Sequence, residues 1–401
     1  MLLIGTQTAT EAAIRIDLDS LLHHTLVVGQ SGSGKSFFVA RLLEEILLRT
    51  RARMLIVDPN GDFRRLGLSS DSVWDVHSAR FNVLHGLNQV DASDFDTPSG
   101  FQIGWQKRRF TYLNPARSPR GTVSEEDNVH KLIIHWDSLE PDLQRFLLKT
   151  DPSREPKAGL GIDTIVKTAE WLRASRSEPY EVDLRSLADL AEDFALRNRS
   201  LQNYEAAKTL TIDDWYAVHA KVSDVLSNYA LWWSRRPDRK TLPGSRPLGL
   251  ADFIDATLIE QNRSATTYWD ALVLSLDSAS QADALLSVEV SLSRLWQRAK
   301  DAWRLKVDQG TKVDYPDKRV PTFIVIDEAH NFSTEHSSND LQKRVTARLM
   351  QIASEGRKYG LYLILATQRP TKLHKELVAE CENSCLLRVQ SDIELKYACI
   401  L

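Results

Sequence analysis

The sequence predicts an α/β protein built on a parallel sheet with helices on both faces. Short, continuously apolar runs alternate with amphipathic segments, which is how strands buried on both faces read. Leu26-Val27-Val28 is the first such run and leads into a glycine-rich loop. After it, Phe38, Val39, Leu42, Leu43, Ile46 and Leu47 recur at helical spacing, so a helix is expected over 37–49. Met54-Leu55-Ile56-Val57 forms the next strand and ends at Asp58-Pro59-Asn60-Gly61, which cannot extend it. The runs at 323–326, 361–366 and 386–389 supply three more strands.

The middle of the chain has a different character. All ten tryptophans lie between Trp74 and Trp303, and none lies in the flanking segments. That much aromatic volume requires burial, so 73–319 is expected to be a folded, mostly helical insertion, with a clear helix over 283–304. Its breaks fall at 97–100, 152–161 and 235–249, where Pro and Gly collect. The expected division is an α/β core in two sequence halves, 1–72 and 320–401, around that insertion.

Bulk properties narrow the function classes. The chain has 401 residues, 42% hydrophobic and 26% charged, which is ample for a buried core. A formal net charge of −3 excludes an overall basic binder but leaves room for a local basic channel. No apolar run approaches the roughly 18 residues of a membrane span, and the N-terminus has no secretory pattern. The cysteines, Cys381, Cys385 and Cys399, lack metal-ligand spacing and fit reduced thiols in the cytoplasm.

The chemistry is carried by three motifs. Gly29-Gln30-Ser31-Gly32-Ser33-Gly34-Lys35-Ser36 matches Walker A at every position, between a strand and a helix that opens at Phe37. Gly29, Ser31, Gly32, Ser33 and Gly34, with the first turn at Lys35, Ser36 and Phe37, would wrap phosphates with backbone N–H groups at a helix N-terminus. Lys35 would neutralise β- and γ-phosphate oxygens, and Ser36 would ligate Mg²⁺. An apolar strand ending in Asp327-Glu328 matches Walker B: Asp327 would support Mg²⁺ through water, and Glu328 would activate the attacking water. A glutamate directly after the aspartate marks the additional-strand, RecA-like division of P-loop ATPases. In that division the next strand inserts between the Walker A and Walker B strands. Gln368, at the tip of the run 361–367, would then sense the γ-phosphate.

Taken together, these segments resemble the HerA/FtsK-like ATPases. The approach Leu22-His23-His24-Thr25 to the phosphate loop, Asp58-Pro59-Asn60-Gly61-Asp62-Phe63, Asp327-Glu328-Ala329-His330-Asn331-Phe332, Glu355-Gly356-Arg357-Lys358-Tyr359-Gly360 and Ala366-Thr367-Gln368-Arg369-Pro370 occur in family order. The resemblance implies a homo-oligomeric, hexameric ring that hydrolyses ATP with Mg²⁺ and moves double-stranded DNA through a pore. It also implies a nuclease or other effector protein as partner, in DNA processing or antiphage defence. Arg357 resembles the family's trans-acting finger, with Lys358 or Arg369 able to share that role. The resemblance departs at both ends: these proteins carry a β-barrel before the phosphate loop and a further helix, strand and arm after 386–389. The alternative function is a nucleotide-switched scaffold that regulates a defence effector without processive translocation.

Further basic groups are candidate phosphate contacts: Lys107-Arg108-Arg109, the cluster Arg235, Arg236, Arg239, Lys240 and Arg246, and Lys343, Arg344 and Arg348. Thr311-Lys312-Val313-Asp314 resembles a guanine-specificity motif only superficially, lacking a buried strand before it.

Overall fold

The computed structural model describes residues 2–6, 13–17, 19–64, 66, 109–115, 129–150, 154–175, 182–197, 209–232, 247–255, 269–309 and 320–389. The chain begins with an antiparallel hairpin of β1 (Leu2–Thr6) and β2 (Ala13–Ile16), which the apolar pattern had not signalled. Next come β3 (Thr25–Val28), α1 (Lys35–Arg49), β4 (Arg53–Asp58), β5 (Phe110–Asn114) and β6 (Val129–Lys131). The helices α2 (Pro141–Leu147), α3 (Pro156–Ser175), α4 (Leu184–Arg197), α5 (Ile212–Asn228) and α6 (Leu250–Asp255) follow. The chain continues through β7 (Ala271–Ser275), α7 (Gln281–Gln309), β8 (Thr322–Ile326), α8 (Asp340–Tyr359), β9 (Leu361–Thr367), α9 (Lys375–Ala379) and β10 (Asn383–Leu386).

Eight of the described strands form one parallel sheet in the order β10-β3-β9-β8-β4-β7-β5-β6. The sheet is buried on both faces, so every residue of β3, β4, β7, β8 and β9 is buried. One face takes α1, whose Val39, Leu42, Leu43, Ile46 and Leu47 pack with Val27, Ile56, Val273, Val325 and Ile364. α8 packs against β9 and α7. Tyr359 receives the rings of Trp296 and Trp303 edge-on, at 5.1 and 6.3 Å between centroids. α8 has clear stops: Asn339 accepts from the N–H groups of Leu341 and Gln342, and Gly360 closes the helix at φ 79°.

The fold is the expected α/β, RecA-like class, with β9 lying between the Walker A strand β3 and the Walker B strand β8. The expected boundaries at 72 and 319 differ from the structure. The sheet draws β5, β6 and β7 from inside that span, and α7 packs on α8, which leads straight into β9. One compact unit comprises Met1–Lys131 and Asp252–Leu401, and the other is Leu132–Ala251. The sequence hides this because β7, Ala-Leu-Val-Leu-Ser, is a five-residue apolar run with no motif at its end. β10 also starts three residues before the expected strand.

The second unit is helical. α4 packs on α5, and α3 packs on both. Phe194 and Trp215 meet at 4.8 Å, and Thr211 with Asp214 forms a capping box at the start of α5. Trp136, Trp215, Trp269 and Trp296 are buried as aromatic volume requires, whereas Trp171 is 55% exposed. Trp74, Trp105 and Trp233 lie outside the described residues.

Candidate active site

The C-terminal ends of β3, β4, β8 and β9 converge, as neighbours in a parallel sheet must. The loop after β3 is tied down at both sides: Gly29 N–H donates to Thr367 O at 3.2 Å, and Gln30 N–H to Arg388 O at 3.1 Å. A Cβ on Gly29 would stand 2.5 Å from Ser33 Oγ and 2.9 Å from Leu387 Cβ, so only glycine fits. Gly34 caps α1 at φ 87° without a side-chain hydrogen bond, leaving first-turn N–H groups at Lys35, Ser36 and Phe37 for an anion. Ser31 and Gly32 are exposed at the loop tip, and Ser33 Oγ is buried with no partner among the described residues.

Lys35 is 7% exposed and ion-paired with both Walker B carboxylates, with Asp327 and, at 3.1 Å, with Glu328 Oε1. Burial alone would lower its pKa, but the two carboxylates override this and raise it, so the ammonium stays charged. Glu328 holds a left-handed backbone at φ 46°, a conformation costing about 1–3 kcal/mol for a non-glycine residue and concentrated at functional sites. Its Oε2 lies 3.4 Å from the Gln368 backbone nitrogen and 3.3 Å from His330 Nδ1. His330 Nδ1 also stands 3.0 Å from Thr367 Oγ1. Burial, reinforced by Arg369 and Lys372, pushes the His330 pKa down to about 4, so its ring is neutral.

Two acidic residues from the β4 turn join this group without having been singled out as site residues. Asp58 is fully buried and accepts N–H groups from Gly61, Asp62 and Phe63 at 2.8–3.0 Å; burial raises its pKa to about 6. Asp62 Oδ2 accepts the Ser36 hydroxyl at 2.6 Å. The sequence signal is the segment 58–63, which resembles a family motif.

The donor set fits Mg²⁺. Asp327 is 1% exposed, and its Oδ2 has no hydrogen-bond partner among the described residues. A buried carboxylate oxygen left without a partner is what a hydrated cation would satisfy.

Arg357 stands apart from this group. It occupies the last turn of α8, before β9 begins, and β9 aligns its first residue with the first residue of β8. It therefore lies at the sheet edge opposite the phosphate loop of its own chain. There it pairs with Glu382, which also pairs with His23. Lys358 lies over the Trp303 and Tyr359 rings at 5.6 and 5.4 Å, while Arg369 follows β9 and is exposed. Of the basic groups after β8, Arg344 is bound to buried Glu289, Lys343 to Asp340, and Arg348 to Gln351. Arg109 sits at the start of β5, while Lys107, Arg108, the 235–246 cluster and the 311–314 segment lie outside the described residues.

Comparison with known families matches residues 2–232 to the helicase HerA central domain and residues 274–389 to the ATPase family associated with various cellular activities. The first match covers more than half of the chain. The chain belongs to the HerA family. It is 20% identical over 403 residues to the DNA double-strand break repair helicase HerA of Pyrococcus furiosus, covering 96% of this chain and 60% of that protein. The HerA of Saccharolobus solfataricus is 31% identical over 125 residues, 31% of this chain and 23% of that protein. This HerA-family chain thus spans less than two thirds of the length of those relatives. Among solved structures, VirB4 of Thermoanaerobacter pseudethanolicus aligns over 100% of this chain and 88% of its own at TM-score 0.49 and 12% identity. No described helix is long and apolar enough to cross a membrane.

Proposed function

We propose that this chain is an ATP-hydrolysing motor that assembles into a ring, most simply a hexamer, and translocates on or pumps double-stranded DNA in the cytoplasm. The observation that carries the reading is the meeting of Lys35, Asp327 and Glu328 within ion-pair distance, with the tip of β9 wedged beside them. Lys35 and the free N–H groups of α1 hold the triphosphate. Ser36 and Asp327 hold Mg²⁺, which supplies charge neutralisation at the phosphate oxygens when bound. Glu328, oriented by His330 and the Gln368 backbone, takes the proton of the attacking water. Gln368 reads the γ-phosphate, and its strand carries that signal to Thr367 and Gly29.

Arg357 serves a neighbouring subunit's site in this reading, which accounts for its distance from its own phosphate loop. A nuclease or other effector would use the DNA delivered by the ring, in DNA processing or antiphage defence. The test is displacement of a triplex-forming strand from linear duplex, with particle mass measured with and without ATP. ATP-dependent displacement by a particle of several chains is expected. Assembly with ATP but no displacement would replace the motor with a nucleotide-switched scaffold.

A further inference from the structure

The side chain of Asp62 has no role in the phosphate-loop chemistry set out above, yet its position is tightly specified. The turn that presents it is held from beneath by Asp58, whose buried carboxylate accepts three consecutive N–H groups, including that of Asp62 itself. On one side, Gly61 adopts φ 78°, and a Cβ there would meet Arg64 Nε at 2.9 Å. On the other, Phe63 is 2% exposed within the core. Arg64 is paired with Asp277, just beyond β7. A surface aspartate in an unconstrained loop needs none of this.

What the turn delivers is an acceptor for one hydroxyl. Ser36 has a single hydroxyl proton, and donating it to Asp62 Oδ2 at 2.6 Å fixes the rotor. Both lone pairs of Ser36 Oγ then remain for a cation. With no acceptor, that proton would rotate freely and compete for the space a cation needs. Asp327 Oδ2, buried and without a partner among the described residues, independently marks an open polar position in the same site. Asp62 and Asp327 both act electrostatically on Asp58, which places them around one carboxylate.

We infer that Asp62 is a positioning residue for the cation: through its hydrogen bond it orients the Ser36 hydroxyl so that the oxygen is presented to Mg²⁺. This rests on the proposed nucleotide site and adds to it a residue that acts through another. Outer-sphere partners of metal ligands commonly contribute 10–100-fold in metal affinity.

The experiment is equilibrium binding of a fluorescent ATP analogue to the full chain, titrated with Mg²⁺ from an EDTA baseline, so no turnover enters the readout. For Asp62→Ala, affinity in EDTA should match the wild type, while the Mg²⁺ midpoint rises about 10–100-fold. Asp62→Asn retains an oxygen acceptor and should restore a midpoint within about 3-fold of wild type, the usual behaviour where a hydrogen bond and not a charge is at work. In a Ser36→Ala background, Asp62→Ala should add nothing, since the group it orients is gone. An unchanged midpoint in Asp62→Ala overturns the inference and leaves the nucleotide site standing. So does Asp62→Asn failing as badly as Asp62→Ala while melting like wild type. Wild-type protein that binds no nucleotide at any Mg²⁺ concentration overturns the site and this inference together.

Discussion

The backbone N–H of Gly29 donates to the carbonyl of Thr367, joining the first residue of the phosphate loop to the last residue of β9. Because β9 lies between β3 and β8, whatever happens at its tip is felt on both sides. In the proposed mechanism, this hydrogen bond links the γ-phosphate sensor at the tip of β9 to the phosphate loop.

That connection separates the role of Gln368 from that of the loop. Gln368→Ala removes a side chain while keeping the backbone N–H beside Glu328. Turnover should fall at least about 10-fold, with nucleotide affinity within about 3-fold, as expected for a group that acts mainly in the transition state. Steady-state rates and equilibrium binding on the same protein decide it. Equal losses in both would make Gln368 a wall of the pocket.

In the proposed ring Arg357 acts on a neighbouring chain, and complementation tests that role. Arg357→Ala should lower turnover by about 10³–10⁵, as loss of a finger does, and Lys35→Ala should inactivate its own site. Mixing the two dead proteins should restore part of the activity, because some interfaces then combine an intact loop with an intact arginine. Near-normal turnover by Arg357→Ala alone would contradict the assignment.

His24 ties stability to pH. It is 1% exposed, and its Nδ1 accepts the Leu363 N–H at 2.9 Å, which only the unprotonated nitrogen can do. Burial, followed by the charge of Arg357 and other neighbours, lowers its pKa from 6.5 to about 4. With the folded value below the unfolded one, the contribution is complete above about pH 6.5 and is lost as pH falls toward 4. Denaturant unfolding at pH 7 and pH 5 should therefore differ by about 2 kcal/mol more in wild type than in His24→Asn. An identical pH dependence in the two proteins would show that His24 is not held neutral.

β7 is the least visible part of the core. Leu274 is 0% exposed between β4 and β5, so Leu274→Ala should cost about 2–5 kcal/mol in urea unfolding of the sheet-containing unit. A loss below about 1 kcal/mol would mean that the strand is peripheral.

The sequence exposes those parts of the molecule where chemistry dictates residue type. Walker A, Walker B and the β9 tip were legible because a phosphate loop requires glycines, a catalytic carboxylate must end a strand, and the strands carrying them are uninterrupted apolar runs. β5, β6 and β7 were not legible. Their short runs lie in a segment rich in helical periodicity, and a parallel sheet recruits strands from any distance along the chain. Asp62 escaped for another reason: its partner, Ser36, is 26 residues away, and only folding brings hydroxyl and carboxylate together. The same holds for His330, whose contact with Thr367 depends on strand order. Arg344 shows the converse. In the sequence it is a candidate phosphate contact after Walker B, yet Glu289 on α7 takes it up.

The most direct test of the account is steady-state ATP hydrolysis by wild type and Glu328→Gln, side by side, with and without linear duplex DNA at low and moderate salt. Wild type should hydrolyse ATP, DNA should stimulate it several-fold at low salt, and moderate salt should weaken that stimulation. Glu328→Gln should be slower by at least about 10² under every condition. Hydrolysis by Glu328→Gln at the wild-type rate, or wild-type hydrolysis indifferent to DNA, would contradict a DNA motor driven from this site.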